Sequence, residues 1–192
     1  EPEIVDVQRF LNQMGAQIEG AGTPVIRIKG VDELGCTNYS VMPDRIEAGT
    51  YLLAFVITGG EGTLLGVNPQ HFTPLLQVLA GMGVPLEAGE DWVRVGSTPK
   101  LRPFQVTTAP YPGFPTDLQP QIVALATQAS GRSRLVETVF DQRFGYLREM
   151  QKLGARVEQR GQAVLVEGPA RLRGADLQAG DLRAGAALVL AA

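Results

Sequence analysis

The sequence predicts an α/β protein of the α+β kind, assembled from a repeated unit of about seventy residues that runs helix, strand, helix, strand, strand. Three observations carry that reading. The stretches "FLNQMGAQIEGAGTPVIRIKG", "VLAGMGVPLEAGEDWVRVGS" and "EMQKLGARVEQRGQAVLVEG" share one shape. In each, an amphipathic helix stops at Met-Gly or Leu-Gly and is followed by two short alternating strands joined through a glycine-containing turn. A second apolar helix, opened each time by an aspartate, recurs out of phase with the first.

The stops fall at Gly15, Gly83 and Gly154, where a helix end in the left-handed region calls for glycine. The strands "VIRIKG", "WVRVGS" and "VLVEG" alternate apolar and polar residues, as strands with one buried face do. The second helices are "MPDRIEAGTYLLAFVI", "FPTDLQPQIVALATQA" and "AGDLRAGAALVLAA", with Asp44, Asp117 and Asp181 at or beside their starts. "GTLLGVN" and "SRLVETVF" read as one buried strand each between the helices. The unit is about twice as long as an ankyrin or tetratricopeptide repeat and is neither.

Composition bounds the function classes. At 192 residues the chain is long enough for a real core and for one or two domains. A net charge of −3 with no block of Lys or Arg argues against a general nucleic-acid binder, which needs clustered positive charge. No apolar run is long enough to span a bilayer, and no signal-peptide pattern opens the chain. The one cysteine, Cys36, permits no internal disulfide and fits a reducing compartment, so a cytoplasmic location is expected. With a single histidine, His71, there is no His/Cys cluster for zinc; no metal or cofactor is expected. Cys36 reads as a structural thiol and His71 as a residue at the opening of a helix. The chain starts without methionine and stops inside an apolar helical pattern, which reads as a piece of something longer.

The segment "YPGFPTDLQP" concentrates three prolines around one acid, Asp117. Thr116 and Gln119 have capping-box spacing, so Thr116 could be the N-cap and Asp117 a first-turn acid favoured by the helix dipole. Asp44 with Glu47 has the same spacing, and a capping role is the expectation there; Asp181 could equally be an N-cap.

Four segments, "MPDRIEAGTYL", "PGFPTDLQ", "ETVFDQRFGYLREMQKLGA" and "DLRAGAALVLA", together resemble the UDP-N-acetylglucosamine enolpyruvyl transferases of bacterial peptidoglycan synthesis. The resemblance covers essentially the whole chain but only part of the family's length. It implies an incomplete enolpyruvyl-transferase fold, the "inside-out" α/β barrel with helices inside and sheets outside. Residues 1–42 would end one lobe, and 43–192 would supply two repeat units and a stub of the other. It also implies transfer of the enolpyruvyl group of phosphoenolpyruvate to the nucleotide sugar, with no cofactor, and with those two small molecules as the partners.

By resemblance, Asp117 is the candidate base at the sugar hydroxyl, and Arg143 and Arg183 act at the phosphoenolpyruvate and lobe-closure region, where a planar, permanently charged fork suits phosphate or carboxylate. Val139 and Phe140 match the wall against which the sugar lies. Asp44, Arg45 and Asp181 match motifs close to the substrates. The family's Lys-Asn pair and its loop with a proton-donating cysteine have no counterpart here, and Cys36 lacks the activating surroundings of that cysteine. The resemblance therefore implies a chain inactive alone and dependent on the rest of the enzyme. Two other readings are an enolpyruvylshikimate-phosphate synthase-like enzyme, against which "PGFPTDLQ" speaks, and a non-catalytic binding module derived from the repeat.

Overall fold

A computed structural model describes residues 1–98, 100–141 and 143–192. The chain divides into two compact units, Glu1–Pro43 and Asp44–Ala192. The smaller consists of helix α1 (Pro2–Gln13) and an antiparallel pair, β1 (Gln17–Glu19) and β2 (Arg27–Lys29), with Ile18 opposite Ile28. The Tyr39 hydroxyl donates to Asp6 Oδ1 at 2.7 Å and its ring tilts against Phe10, which ties the following loop back to α1. Within this unit only Pro2 is buried. This unit has no core of its own.

The larger unit repeats the predicted order twice. The first pass is α2 (Arg45–Ile57), β3 (Gly62–Leu65), a 3-10 turn at Pro69–Phe72 leading into α3 (Thr73–Met82), then β4 (Leu86–Ala88) and β5 (Trp92–Val95). Next comes β6 (Gln105–Thr107). The second pass is a 3-10 turn at Thr116–Leu118 leading into α4 (Gln119–Ala126), then β7 (Gly131–Val136), α5 (Tyr146–Lys152), β8 (Arg156–Arg160) and β9 (Ala163–Gly168). Helix α6 (Leu182–Ala191) opens a third.

One sheet has the antiparallel order β3-β5-β4, and the other the order β6-β7-β9-β8, with β6 parallel to β7. The repeat also holds in detail. Gly15, Gly83 and Gly154 all adopt positive φ, at 102°, 95° and 93°, so the chain leaves each helix through the one conformation that glycine supplies without steric cost.

The core lies between the helices and the inner faces of the sheets. Helix α4 is its axis: all eight of its residues are buried, and it packs against both α2 and α6. Apart from Gln119 and Gln121 it is apolar throughout, as a helix at such a centre should be. Gly49 lets the Thr116–Leu118 turn approach α2, because a Cβ there would meet Leu118 Cδ1 at 2.7 Å and Leu75 Cδ2 at 3.0 Å.

Two expectations are corrected. β3 and β7 do not read as fully buried strands: exposed residues alternate with buried or half-buried ones along both, because helices cover only one face of each sheet. Thr116 is not an N-cap, since its turn is 3-10 with Pro115 at the cap position and no side-chain cap. Its hydroxyl is engaged with Glu137 instead.

Candidate active site

Two loops and two helix starts converge at one end of the larger unit. The first loop follows β6. Thr108 N donates to Val136 O, which ends the β6–β7 pairing, and Ala109 N donates to Phe114 O, which folds residues 109–114 into a closed turn. Phe114 and Leu118 are buried and anchor the segment on both sides of Asp117. The prolines at 112, 115 and 120 remove backbone freedom between those anchors. Asp117 is left with its side chain 37% exposed at the surface of a fixed backbone.

The second loop follows β7 and carries Val139, Phe140 and Arg143. Arg143 Nη1 donates to Asp117 Oδ1 at 2.8 Å and to Thr116 Oγ1 at 3.2 Å. Its guanidinium carbon sits 4.4 Å from the centre of the Phe140 ring, a stacking that favours a planar cation. Arg183 approaches the same carboxylate oxygen from the start of α6, with Nε 3.3 Å from Asp117 Oδ1. Burial is the largest influence on the Asp117 carboxyl and pushes it up. The hydrogen bonds and charges of Arg143 and Arg183 together outweigh burial and hold it below the usual aspartate range.

The helix starts are set by local hydrogen bonds. Asp181 Oδ1 accepts from the backbone N–H groups of Arg183 and Ala184, capping α6 and fixing where Arg183 begins. Asp44 Oδ1 accepts from Ile46 and Glu47 and caps α2 in the same way. Arg45, almost fully buried, lies with its guanidinium 5.3 Å from the centre of the Tyr111 ring, in the loop that leads to Asp117. Of the residues singled out in the sequence, the structure brings Asp117, Arg143, Arg183 and Phe140 into one contact network. Asp181 joins it through the α6 cap, and Arg45 meets the Asp117 loop at Tyr111.

Val139 and Phe140 are not strand core. They are 41% and 53% exposed and present an apolar surface beside the arginines. Cys36 is exposed rather than packed, so it has no burial role. His71 lies in the 3-10 turn that opens α3, with Nε2 3.1 Å from Asn68 Nδ2. Among the described residues, no group of three or more His, Cys, Asp or Glu side chains could hold a metal ion.

Sequence reasoning missed Glu137 and Thr108. The Glu137 side chain is buried at 1% exposure, and its carboxylate accepts from Thr108, Thr116 and the N–H groups of Val139 and Phe140. The signal was available in "SRLVETVF": an acid closing an apolar strand is costly to bury unless several donors meet it. Tyr146 is buried nearby. Burial first and the charge of Glu137 second push its hydroxyl far above the usual phenol range, so it is neutral at every working pH. The Gln119 amide acts in the opposite direction, although the Tyr146 hydroxyl completes no hydrogen bond among the described residues.

The arrangement can hold an anion against two arginines and an apolar group against Val139 and Phe140. Residues 1–192, the whole chain, match the family described as EPSP synthase (3-phosphoshikimate 1-carboxyvinyltransferase). UDP-N-acetylglucosamine 1-carboxyvinyltransferase 2 of Geobacillus kaustophilus is 48% identical over 191 residues, and the UDP-N-acetylglucosamine 1-carboxyvinyltransferase of Rhodopseudomonas palustris strain BisB5 is 48% identical over 193. Each alignment takes in 100% of this chain and 45% of the relative, so the chain spans just under half the length of the curated relatives it matches.

Among solved structures, the enolpyruvyl transferase NikO from Streptomyces tendae superposes with a TM-score of 0.86 at 32% identity, covering 100% of this chain and 46% of that one. EPSP synthase from Acinetobacter baumannii gives 0.72 at 20% identity over 96% of this chain and 46% of its own, a likeness of fold alone.

Proposed function

The chain belongs to the EPSP synthase family of carboxyvinyltransferases, and from that premise we propose that it is part of an enzyme that transfers the enolpyruvyl group of phosphoenolpyruvate to UDP-N-acetylglucosamine for peptidoglycan synthesis in the cytoplasm. The sugar-nucleotide assignment, over a shikimate one, is supported by relatives of that name at 46–48% identity, against 18–20% for the EPSP synthase structures. The observation that carries the site is the single Asp117 carboxylate gripped by Arg143 and Arg183 beside the exposed Val139–Phe140 surface.

In this reading the sugar lies on Val139 and Phe140, and its hydroxyl meets Asp117. A carboxylate held by two arginines is a weak base, because their charge stabilises its ionised form. The incoming phosphoenolpyruvate offers those arginines a phosphate and a carboxylate of its own. As Arg143 and Arg183 turn to it, Asp117 regains basicity at the moment the hydroxyl must lose its proton. Asp181 and Asp44 hold the helix starts that carry Arg183 and Arg45. The proton for the vinyl carbon comes from outside this chain, so turnover needs the remainder of the enzyme.

The test is phosphate release from phosphoenolpyruvate. The full-length protein should release it with UDP-N-acetylglucosamine and not with shikimate 3-phosphate, and the 192-residue chain alone should release none. Release driven by shikimate 3-phosphate sinks the sugar-nucleotide reading. Turnover by the chain alone sinks its dependence on the remainder, and failure of the full-length protein with both acceptors returns the chain to a binding module.

A further inference from the structure

Among the described residues, Glu137 is the one carboxylate of the site neighbourhood shut away from solvent, and it bonds directly to both site loops, at Thr108 and Thr116 in the first and at Val139 and Phe140 in the second. Its Oε1 accepts three hydrogen bonds, from Thr108 Oγ1 at 2.7 Å, Val139 N at 2.8 Å and Phe140 N at 2.9 Å. Its Oε2 accepts one, from Thr116 Oγ1 at 2.8 Å. The Thr116 hydroxyl has a single proton and gives it to Glu137, so its oxygen must act as the acceptor toward Arg143 Nη1, 3.2 Å away. The same Nη1 donates to Asp117. A line of fixed polarity therefore runs from Glu137 through Thr116 and Arg143 to Asp117.

We propose that Glu137 is a positioning residue for the transfer reaction, its two carboxylate oxygens dividing the work: Oε1 fixes the sugar-facing Val139–Phe140 wall, and Oε2, through Thr116, holds Arg143 in register with Asp117. The assignment rests on the reading of the site given above. A buried carboxylate with four donors is held more firmly than its loop neighbours, since charged hydrogen bonds are the stronger kind and leaving any of these donors unpaired is costly. Thr108 adds to the hold, because its hydroxyl accepts from Thr138 N at 2.9 Å while donating to Glu137.

The division of labour makes the two oxygens separable by substitution. Glu137→Gln can keep an oxygen toward the three donors and must then turn its NH2 group to Thr116. That forces the Thr116 hydroxyl to accept where it had donated and frees its proton to point elsewhere. Thr116→Val cuts the same line from the other side and leaves the wall alone.

In the full-length protein, Glu137→Gln and Thr116→Val should each lower turnover roughly 10–100-fold, the scale of one lost hydrogen bond to a charged group. Both should keep UDP-N-acetylglucosamine affinity within about threefold, whereas Glu137→Ala should lose affinity and turnover together. The double variant Glu137→Gln with Thr116→Val should be no slower than the slower single variant, because both break one line. Turnover within twofold of wild type in Glu137→Gln, or losses that multiply in the double variant, would overturn the proposal.

A second measurement needs neither a variant nor activity. In the wild-type 192-residue chain, the amide protons of Val139 and Phe140 should exchange at least roughly tenfold more slowly than that of Asp141, despite their exposed side chains. Fast exchange at both refutes the anchoring. A wild-type full-length protein that does not transfer the enolpyruvyl group refutes the reading of the site and not the anchoring, which the exchange measurement decides alone.

Discussion

Arg143 and Arg183 reach Asp117 from different elements and end on the same oxygen, Oδ1, at 2.8 Å and 3.3 Å. One comes from the loop after β7 and the other from the first turn of α6. The carboxylate is thus the joint between the second repeat and the start of the third, and its charge state matters to both.

The first prediction is a pH dependence of stability. Both arginines hold the Asp117 carboxyl below its ordinary value of 3.8, so the folded state favours the ionised form. The stabilisation is fully present above that ordinary value and is lost as pH falls through the lower folded value. The melting-temperature advantage of wild type over Asp117→Asn should therefore be constant from pH 7 to about 5 and shrink in acid below about pH 4. An advantage that grows as pH falls would contradict the pairing.

Arginine geometry gives the second. Arg143 donates to Thr116 and Asp117 while its guanidinium sits over the Phe140 ring. Lysine has the charge but neither the fork nor the plane. Arg143→Lys in the full-length protein should melt within about 2 °C of wild type yet lose roughly tenfold or more in phosphoenolpyruvate affinity. An unchanged Kd by calorimetry would remove Arg143 from the anion site.

The third concerns packing at the end of β9. A Cβ on Gly168 would sit 2.3 Å from Ala129 O and 2.8 Å from Thr127 O, both backbone atoms of the turn just beyond α4. Ala170 N donates to Thr127 O at 2.7 Å, so the two segments cannot part without losing that bond. Gly168→Ala should cost about 1–3 kcal/mol, the usual scale of overpacking, read as a lowered denaturation midpoint with unchanged slope.

How much of this was legible beforehand follows from the range of each interaction. The helix stops and caps were readable because their partners are local: Gly83 ends a helix by its own φ, and Asp181 bonds amides two and three residues on. β6 was not foreseen, since three residues form a strand only by pairing with β7, which lies beyond α4. Thr116 misled because its spacing to Gln119 satisfies a local rule, while its hydroxyl is claimed by Glu137, 21 residues away. The resemblance supplied Asp117, Arg143 and Arg183 as separate residues; that they share one oxygen required the fold.

The last prediction separates the two roles that the structure leaves open for Asp117, ion-pair partner and base. It does not cap its helix, and its carboxylate engages Arg143 and Arg183 rather than backbone N–H groups. If ion pairing is its whole role, Asp117→Asn in the full-length protein should cost some stability and leave turnover nearly intact, since paired charges this exposed contribute little. If it accepts the sugar hydroxyl's proton, the amide has no basic site to receive it, and turnover should fall roughly 10²–10⁴-fold, the scale of a positioned base. Nucleotide-sugar affinity should change far less, because asparagine still hydrogen-bonds the hydroxyl in the ground state. The expected variant is one that folds, binds UDP-N-acetylglucosamine and barely reacts. Steady-state kinetics paired with thermal melting decides it: near-normal turnover with a lowered melting temperature would leave Asp117 as the joint between two arginines and nothing more.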